Sequence, residues 1–320
     1  MIRASGLIVS VILAGSVLTS SAQDYPVRDI KVLSGQPAGS GADVIVRFFS
    51  DMLRRRLQHT VFVENRPGIL GSLAGEALAR AAPDGYTILI SGYPAVSSNW
   101  VLFSKLPYDP VKQFAPVTTV ASQPFVLVVN PKSQISTVQE LTTYLKTKST
   151  RGSYGSSNSS GLGLSELYKS AASLRTTYIP YRSVAEVLRD LLTGEIDFAF
   201  FDSGFAVTQI RSGSVRGLAV SSAQRSLVFP DLPTMVESNV PEAKLASWFA
   251  VFVPANTPAQ IIQRLYLSFS EILKLDETKR FLGGLGIDVM PGTPESLARL
   301  QAEEIERWRH IMKIANIAPQ

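Results

Sequence analysis

The sequence predicts an α/β protein with mostly parallel sheets, in a chain of 320 residues whose length fits two domains of middling size. Two observations carry this. From residue 24 onward, short apolar runs alternate with stretches of helical periodicity, the pattern of strands joined by crossover helices. Hydrophobic residues make up 45% of the chain and charged residues 18%, enough to bury a sizeable core and unlike the composition of disordered chains.

Met1 to Ala22 read as a secretory signal: Arg3 is a minimal basic head, Leu7 to Leu18 an apolar run, and Ser20-Ser21-Ala22 a small-residue cleavage site. The run is shorter than the ~20 apolar residues that spanning needs, and no later segment is long enough. Mature protein is therefore expected to be exported and to run from Gln23 onward.

Ile30 to Leu33 is the first predicted strand. Gly35 to Gly41 form a turn, followed by a helix with Ile45, Phe48, Phe49, Met52, Leu53 and Leu57 on one stripe. Val61 to Val63 give the next strand, Gly71 to Ala81 a small-residue helix, and Thr87 to Ile90 a third strand. The middle of the chain repeats this grammar with strands at Phe125 to Val129, Ile196 to Phe201 and Gly217 to Val220. Between them fall helices from Gly161 to Ser173, with Leu164, Leu167, Tyr168 and Ala171 on one face, and from Val184 to Leu192. In the tail, Thr257-Pro258 and Thr293-Pro294 each put a capping hydroxyl before a proline at the first helical position. The extended segments Val117 to Val129 and Trp248 to Val253 are the natural crossovers between lobes. They divide the chain into residues 23–124 (first part of lobe 1), 125–249 (lobe 2) and 250–320 (return to lobe 1, with the C-terminal helices).

Several function classes are poorly supplied. The net charge of +5 is spread along the chain, and Arg54-Arg55-Arg56 share a helix with Asp51 and no interleaved aromatics, a solvated face rather than a nucleic-acid site. With no cysteine there is no disulfide, thiolate metal site or Cys nucleophile. The two histidines, His59 and His310, stand apart and suggest neither a base nor a metal pair. No Gly-x-Ser-x-Gly elbow and no phosphate-cradling Gly-Lys-Ser/Thr occurs. Gly39-Ser40-Gly41 with Glu64 at the end of the next strand partly matches a dinucleotide fingerprint, but Val44 occupies the third glycine position. The expectation is no catalytic residue, no metal and no cofactor.

Two loops share one design: Gly35 to Gly41 and Gly155 to Gly161 each follow a strand, consist of Gly, Ser and other small polar residues, and open a helix. Helix N-termini offer unpaired N–H groups and positive potential, which suits a carboxylate without an Arg. Ser40 also fits a helix cap, with Asp43 three residues on. Asp202, directly after the strand Ile196 to Phe201, lies where α/β proteins bind ligands; it could accept from a ligand or cap the next helix.

The ordered segments Tyr25-Pro26, Val63-Glu64-Asn65-Arg66-Pro67-Gly68, Pro83-Asp84-Gly85-Tyr86-Thr87, Leu106-Pro107-Tyr108-Asp109-Pro110, Ile179-Pro180-Tyr181, Asp190-Leu191-Leu192-Thr193-Gly194, Phe201-Asp202, Leu232-Pro233-Thr234 and Pro254-Ala255-Asn256-Thr257-Pro258 cover nearly the whole mature chain. Together they resemble the Bug, or tripartite tricarboxylate transporter, substrate-binding proteins. The resemblance implies a type II periplasmic-binding-protein fold of two α/β lobes with a hinge and a central ligand cleft, and no catalysis. It also implies a carboxylate held by backbone amides and water, and the membrane subunits of a tripartite tricarboxylate transporter as partners.

The family's Phe-Pro-Pro-Gly-Gly loop maps onto Gln36-Pro37-Ala38-Gly39-Ser40. Its second-lobe loop maps onto a shortened Gly155-Ser156-Ser157-Asn158-Ser159-Ser160-Gly161, with Leu162 near the usual His. Asn99 matches the start of the family's Asn-Pro-x-Leu segment, with Trp100 in place of Pro. The ligand residues implied are Gln36, Ala38, Gly39, Ser40, Gly41, Asp43, Asn99, Ser156, Ser157, Asn158, Ser159, Ser160, Tyr181 and Asp202. The ligand is expected among di- and tricarboxylates, acidic amino acids and aromatic carboxylates. A periplasmic sensor feeding a membrane kinase is the alternative use of the same cleft.

Overall fold

The computed structural model describes residues 25–315 and 318–319; the predicted signal segment lies outside them. The chain runs β1 (Ile30–Ser34), α1 (Gly41–Leu57), β2 (Val61–Asn65), α2 (Ser72–Ala79), β3 (Thr87–Gly92), α3 (Asn99–Leu102) and β4 (Phe114–Val129). It continues through α4 (Val138–Lys148), β5 (Ser153–Ser156), α5 (Ser159–Ala171), β6 (Thr177–Pro180), α6 (Val184–Thr193), β7 (Phe198–Asp202), α7 (Ser203–Arg211) and β8 (Arg216–Val220). It ends with β9 (Ala246–Pro254), α8 (Ala259–Lys274), α9 (Asp276–Gly284), β10 (Asp288–Val289) and α10 (Pro294–Ile314).

The strands form two α/β lobes joined through long antiparallel strands. In one, β2, β1 and β3 are parallel and β3 meets β9 antiparallel. In the other, β6, β5 and β7 are parallel. β4 belongs to both: its first part pairs with β9 and β10, its last part, Phe125 to Val129, with β7 and β8. Parallel strands buried on both faces need helices on each side, and side-chain alternation delivers them. On β9, Phe249, Val251 and Val253 join Ile45, Phe49 and Phe269 of α1 and α8. Their neighbours Trp248, Ala250 and Phe252 join Leu78 of α2 and Trp308 of α10. A third cluster packs Val187 of α6 and Ala206 of α7 against Val126, Val128 and Phe201.

Some boundaries differ from expectation for local reasons. The helix expected from Gly71 starts at Ser72, because Gly71 sits at φ 80, outside helical space, and Ile69–Gly71 form a 3-10 turn. Thr293 caps α10, accepting from the Ser296 amide at 3.2 Å, with Pro294 first in the helix. Thr257 does not cap α8; it donates back to the Pro254 carbonyl at 2.7 Å, and Pro258 takes the cap position without a side-chain bond. Asp202 is the last residue of β7 rather than the residue after it.

Candidate functional site

The first loop lies between β1 and α1. Gly35 is required there by a close approach: a Cβ on it would lie 2.9 Å from the Gly71 Cα and 3.1 Å from Ser91 Oγ, a buried hydroxyl with no partner among the described residues. Gly39 sits at φ 79 and donates its amide to Asp43 Oδ2 at 2.9 Å. Ser40 caps α1, accepting from the Asp43 amide at 3.2 Å. Asp43 itself is fully buried and accepts from Arg47 Nε at 2.7 Å and Asn65 Nδ2 at 2.6 Å besides Gly39. Burial pushes its carboxyl up, but the Gly39 amide, Asn65 and Arg47 together hold it below the ordinary aspartate value. Asp43 is therefore corrected from ligand contact to the organiser of the loop, and Arg47 is committed to it.

What this scaffold leaves available is backbone. Ala38, Gly39 and Gly41 are exposed, and the amides of Gly41 and Ala42 have no partner among the described residues. The Gln36 carbonyl accepts from Asn65 Nδ2 at 3.0 Å, while its side-chain amide extends over the end of β3, 3.7 Å from where a Gly92 Cβ would stand. Glu64 is paired with Lys31 at 3.0 Å and with Arg66, so it is not offered to a ribose.

The second loop lies between β5 and α5. Asn158 caps α5 by accepting from the Gly161 amide at 2.8 Å, and Ser156 Oγ donates to the Asn158 carbonyl at 2.8 Å. These two side chains shape the loop. Ser157 is half-buried; Ser159 opens the helix, and its side chain lies outside the described residues. Ser160 Oγ shares a 2.8 Å hydrogen bond with the Tyr93 hydroxyl. Tyr181 does not present its hydroxyl to the loop: its ring covers Gly155, where a Cβ would come 2.6 Å from Cε2, and its proton goes to Asp190 Oδ2 at 2.8 Å. Burial and Asp190 push the phenol up to about 12.

Tyr93 joins the two loops. It follows β3 directly, next to the residue that Gln36 overlies, and reaches Ser160 on the other lobe. Patterning passes over it because Ser91-Gly92-Tyr93-Pro94 reads as a turn; its place beyond the carboxyl end of a strand is the signal that could have marked it. Asp202 takes the capping role: Oδ1 accepts from the Phe205 amide at 3.0 Å, capping α7, and from Gln123 Nε2 at 3.3 Å, while Oδ2 has no partner among the described residues. Asn99 is corrected from cleft to scaffold. It is fully buried and donates to the Leu70 carbonyl at 3.1 Å, fixing the turn whose Gly71 packs on Gly35.

The arrangement is two capped helix N-termini with positive dipole ends, the first with two amides that have no partner among the described residues, suited to a small anion. Two side-chain cations are engaged: Arg47 pairs with Asp43 at 2.7 Å and Arg225 with Glu237 at 3.1 Å. A cavity of about 620 Å³ beside β2 and α2 holds Lys31 and Arg66, both paired with Glu64. A second, of about 600 Å³, is lined from both lobes near β4, β9 and α10.

Comparison with known proteins gives a consistent picture. A sequence model described as "Tripartite tricarboxylate transporter family receptor" matches residues 45–317. Protein BugT of Bordetella pertussis is 31% identical over 303 residues, covering 94% of this chain and 93% of the relative. Among solved structures, Rpa4515 of R. palustris with adipate superposes with a TM-score of 0.73 at 29% identity, over 93% of this chain and all of that one. MatC of Rhodopseudomonas palustris with bound malate superposes at 0.67 and 27%, over 90% of this chain and 99% of that one.

Proposed function

Because this chain belongs to the tripartite tricarboxylate transporter receptor family, we infer that it captures a small organic carboxylate between its lobes and hands it to the membrane subunits of such a transporter. The observation that carries this is the pair of capped helix N-termini that open α1 and α5, the second bonded to Tyr93 at the end of β3, where the Gln36 side chain of the first loop also extends. A carboxylate there meets oriented amides rather than a mobile lysine or arginine, and cleft closure strengthens those bonds by excluding water. The residues assigned to ligand contact are Gln36, Ala38, Gly39, Ser40 and Gly41 from the first loop, Ser156 to Ser160 from the second, and Asp202 through its open Oδ2.

Lobe 1 is assigned residues 23–124 and 250–320, and lobe 2 residues 125–249. The sharing of β4 between two sets of partners supports this, with β4 as the proposed hinge strand. Residues 1–22 are assigned to export into the periplasm. Among the described residues no helix is long and apolar enough to cross a membrane. The reading assigns no catalysis; solved relatives with adipate and with malate support a carboxylate as the cargo.

The test is a thermal-shift screen of protein from Gln23 onward against organic acids, including adipate and malate, each beside its amide or ester. A ligand of the native state at a hundred times its Kd stabilises by about 2.7 kcal/mol. A rise with one acid class, unmatched by the neutral analogues, is expected. The companion variant is Gly41→Val: a Cβ there meets nothing within 4 Å, so the fold should persist while the added bulk shields the first-turn amides. Unchanged affinity in folded Gly41→Val protein, or no rise with any acid, would overturn the assignment.

A further inference from the structure

Away from the loops, three buried polar atoms share one region: Glu304 Oε1, Trp248 Nε1 and Trp308 Nε1, each without a hydrogen bond of ordinary length and angle among the described residues. They form a complementary set, one carboxylate acceptor and two indole donors. Glu304 and Trp308 sit on α10 and Trp248 on β9, which pairs with the shared strand β4, and each is at most 2% exposed. Glu304 and Trp248 also line the cavity of about 600 Å³ between the lobes, which gives water and protons a route to a side chain otherwise enclosed.

The set is connected to the cleft. Tyr93 packs on both indoles, with ring centroids 6.1 Å apart in each case and the Trp308 ring tilted by only 17°. The Tyr93 hydroxyl is bonded to Ser160 Oγ at the N-terminus of α5. We propose that Glu304 is a positioning residue for ligand capture, acting through Trp248, Trp308 and Tyr93 on Ser160, so that its charge sets how the second loop is held. This rests on the assignment of that loop to the ligand cleft. An ionised Glu304 draws both indole N–H groups toward it; a neutral one attracts them less, and the Tyr93 ring packed on both indoles responds, because a close-packed interior transmits strain.

Glu304 is poised to change charge near neutrality. Burial pushes its carboxyl up to about 7, against the pull of Arg307 and of the two indoles. The charged and titratable groups around it are few. Its own helix supplies Glu303 and Arg307, the latter bonded to Oε2 at 2.9 Å. The cavity wall adds Asp288, Lys244 and Arg225. α5 adds Glu166 and Lys169, which pair at 3.2 Å. The loop touched by Gln301 adds Asp109 and Lys112, which pair at 3.5 Å. Tyr93 is held protonated by burial.

The experiment is amide hydrogen exchange of residues 156–161 in ligand-free protein, a unit below and a unit above the titration at about 7, corrected for intrinsic exchange. Wild type is expected to change protection there by at least about threefold between the two conditions, and Glu304→Gln and Tyr93→Phe to show no change. Because imidazoles titrate in the same range, His310→Asn, at an exposed site on the same helix, is run beside them and is expected to behave as wild type. A flat wild-type profile, or pH dependence that survives in Glu304→Gln or in Tyr93→Phe, or that vanishes in His310→Asn, overturns the proposal. No ligand is present, so a failure of the carboxylate assignment leaves this result standing.

Discussion

Replacing Glu304 by Gln should make the protein more stable above neutrality and leave it unchanged in acid. An ordinary glutamate titrates at 4.5, whereas Glu304 does so at about 7, a difference worth ~3 kcal/mol against the ionised form in the fold. The attraction of Arg307 is already inside that figure, because it acts on the ionised form. With the folded value above the unfolded one, the unfolded chain releases this proton first. The contribution is therefore fully present below about 4.5, declines as pH rises, and is lost once pH passes about 7. The amide of Glu304→Gln has no proton to release in this range, so the variant's stability should not follow that decline. Urea unfolding of both proteins across this range is the assay, read as the difference between them. Every other titrating group is common to both and cancels. The expected difference grows with pH to ~3 kcal/mol in favour of the variant, equivalent to about 6 °C in Tm for a chain of this size. Parallel pH profiles, or a variant less stable than wild type in base, would refute the reasoning.

Two further perturbations probe the loops. Asp43→Ala leaves the Gly39 amide, Asn65 and Arg47 without their shared acceptor and should cost about 2–4 kcal/mol; its pKa is lowered in the fold, so the wild-type advantage should fade as pH drops below the ordinary aspartate range, and equal stability of the two proteins at neutral pH would contradict the loop-organising role. Gly155→Ala drives a methyl against the Tyr181 ring and to within 2.8 Å of Ile196 Cδ1, an overpacking that should cost about 1–3 kcal/mol in chemical denaturation; a neutral effect would show that Tyr181 is free to move off the loop.

How far these properties could be read from the sequence depended on their range. Strand and helix identity came through because it is periodic: the stripe from Ile45 to Leu57 in α1 and the apolar run Phe125 to Val129 in β4 are local signals. Loop chemistry came through in kind, as backbone donors at two helix N-termini. The role of each polar side chain did not, because it is decided by partners far along the chain. Asp43 reads as a ligand residue beside a Gly-rich turn until Asn65 and Arg47 close over it, and Tyr181 reads as a cleft residue until its hydroxyl is seen donating to Asp190. Asn99 matched a family position yet proved to hold the Leu70 carbonyl under the first loop.

The same reasoning explains why the Glu304 region is invisible to patterning. On α10, Glu304 falls on the buried stripe with Leu297, Gln301, Ile305 and Trp308, a place where an amphipathic helix calls for an apolar residue. A carboxylate there costs stability whenever it is ionised, and a leucine would fill the position at no such cost. What an apolar residue could not do is respond to a proton or attract two indole N–H groups, one from β9 and one from α10. A buried acid that weakens the fold, placed where α10 packs against β9 and next to the Tyr93 ring that reaches the second loop, is economically explained by a role in positioning that loop. The stability difference at Glu304 and the exchange behaviour of Ser156 to Gly161 should then change over the same pH interval, since one titration drives both.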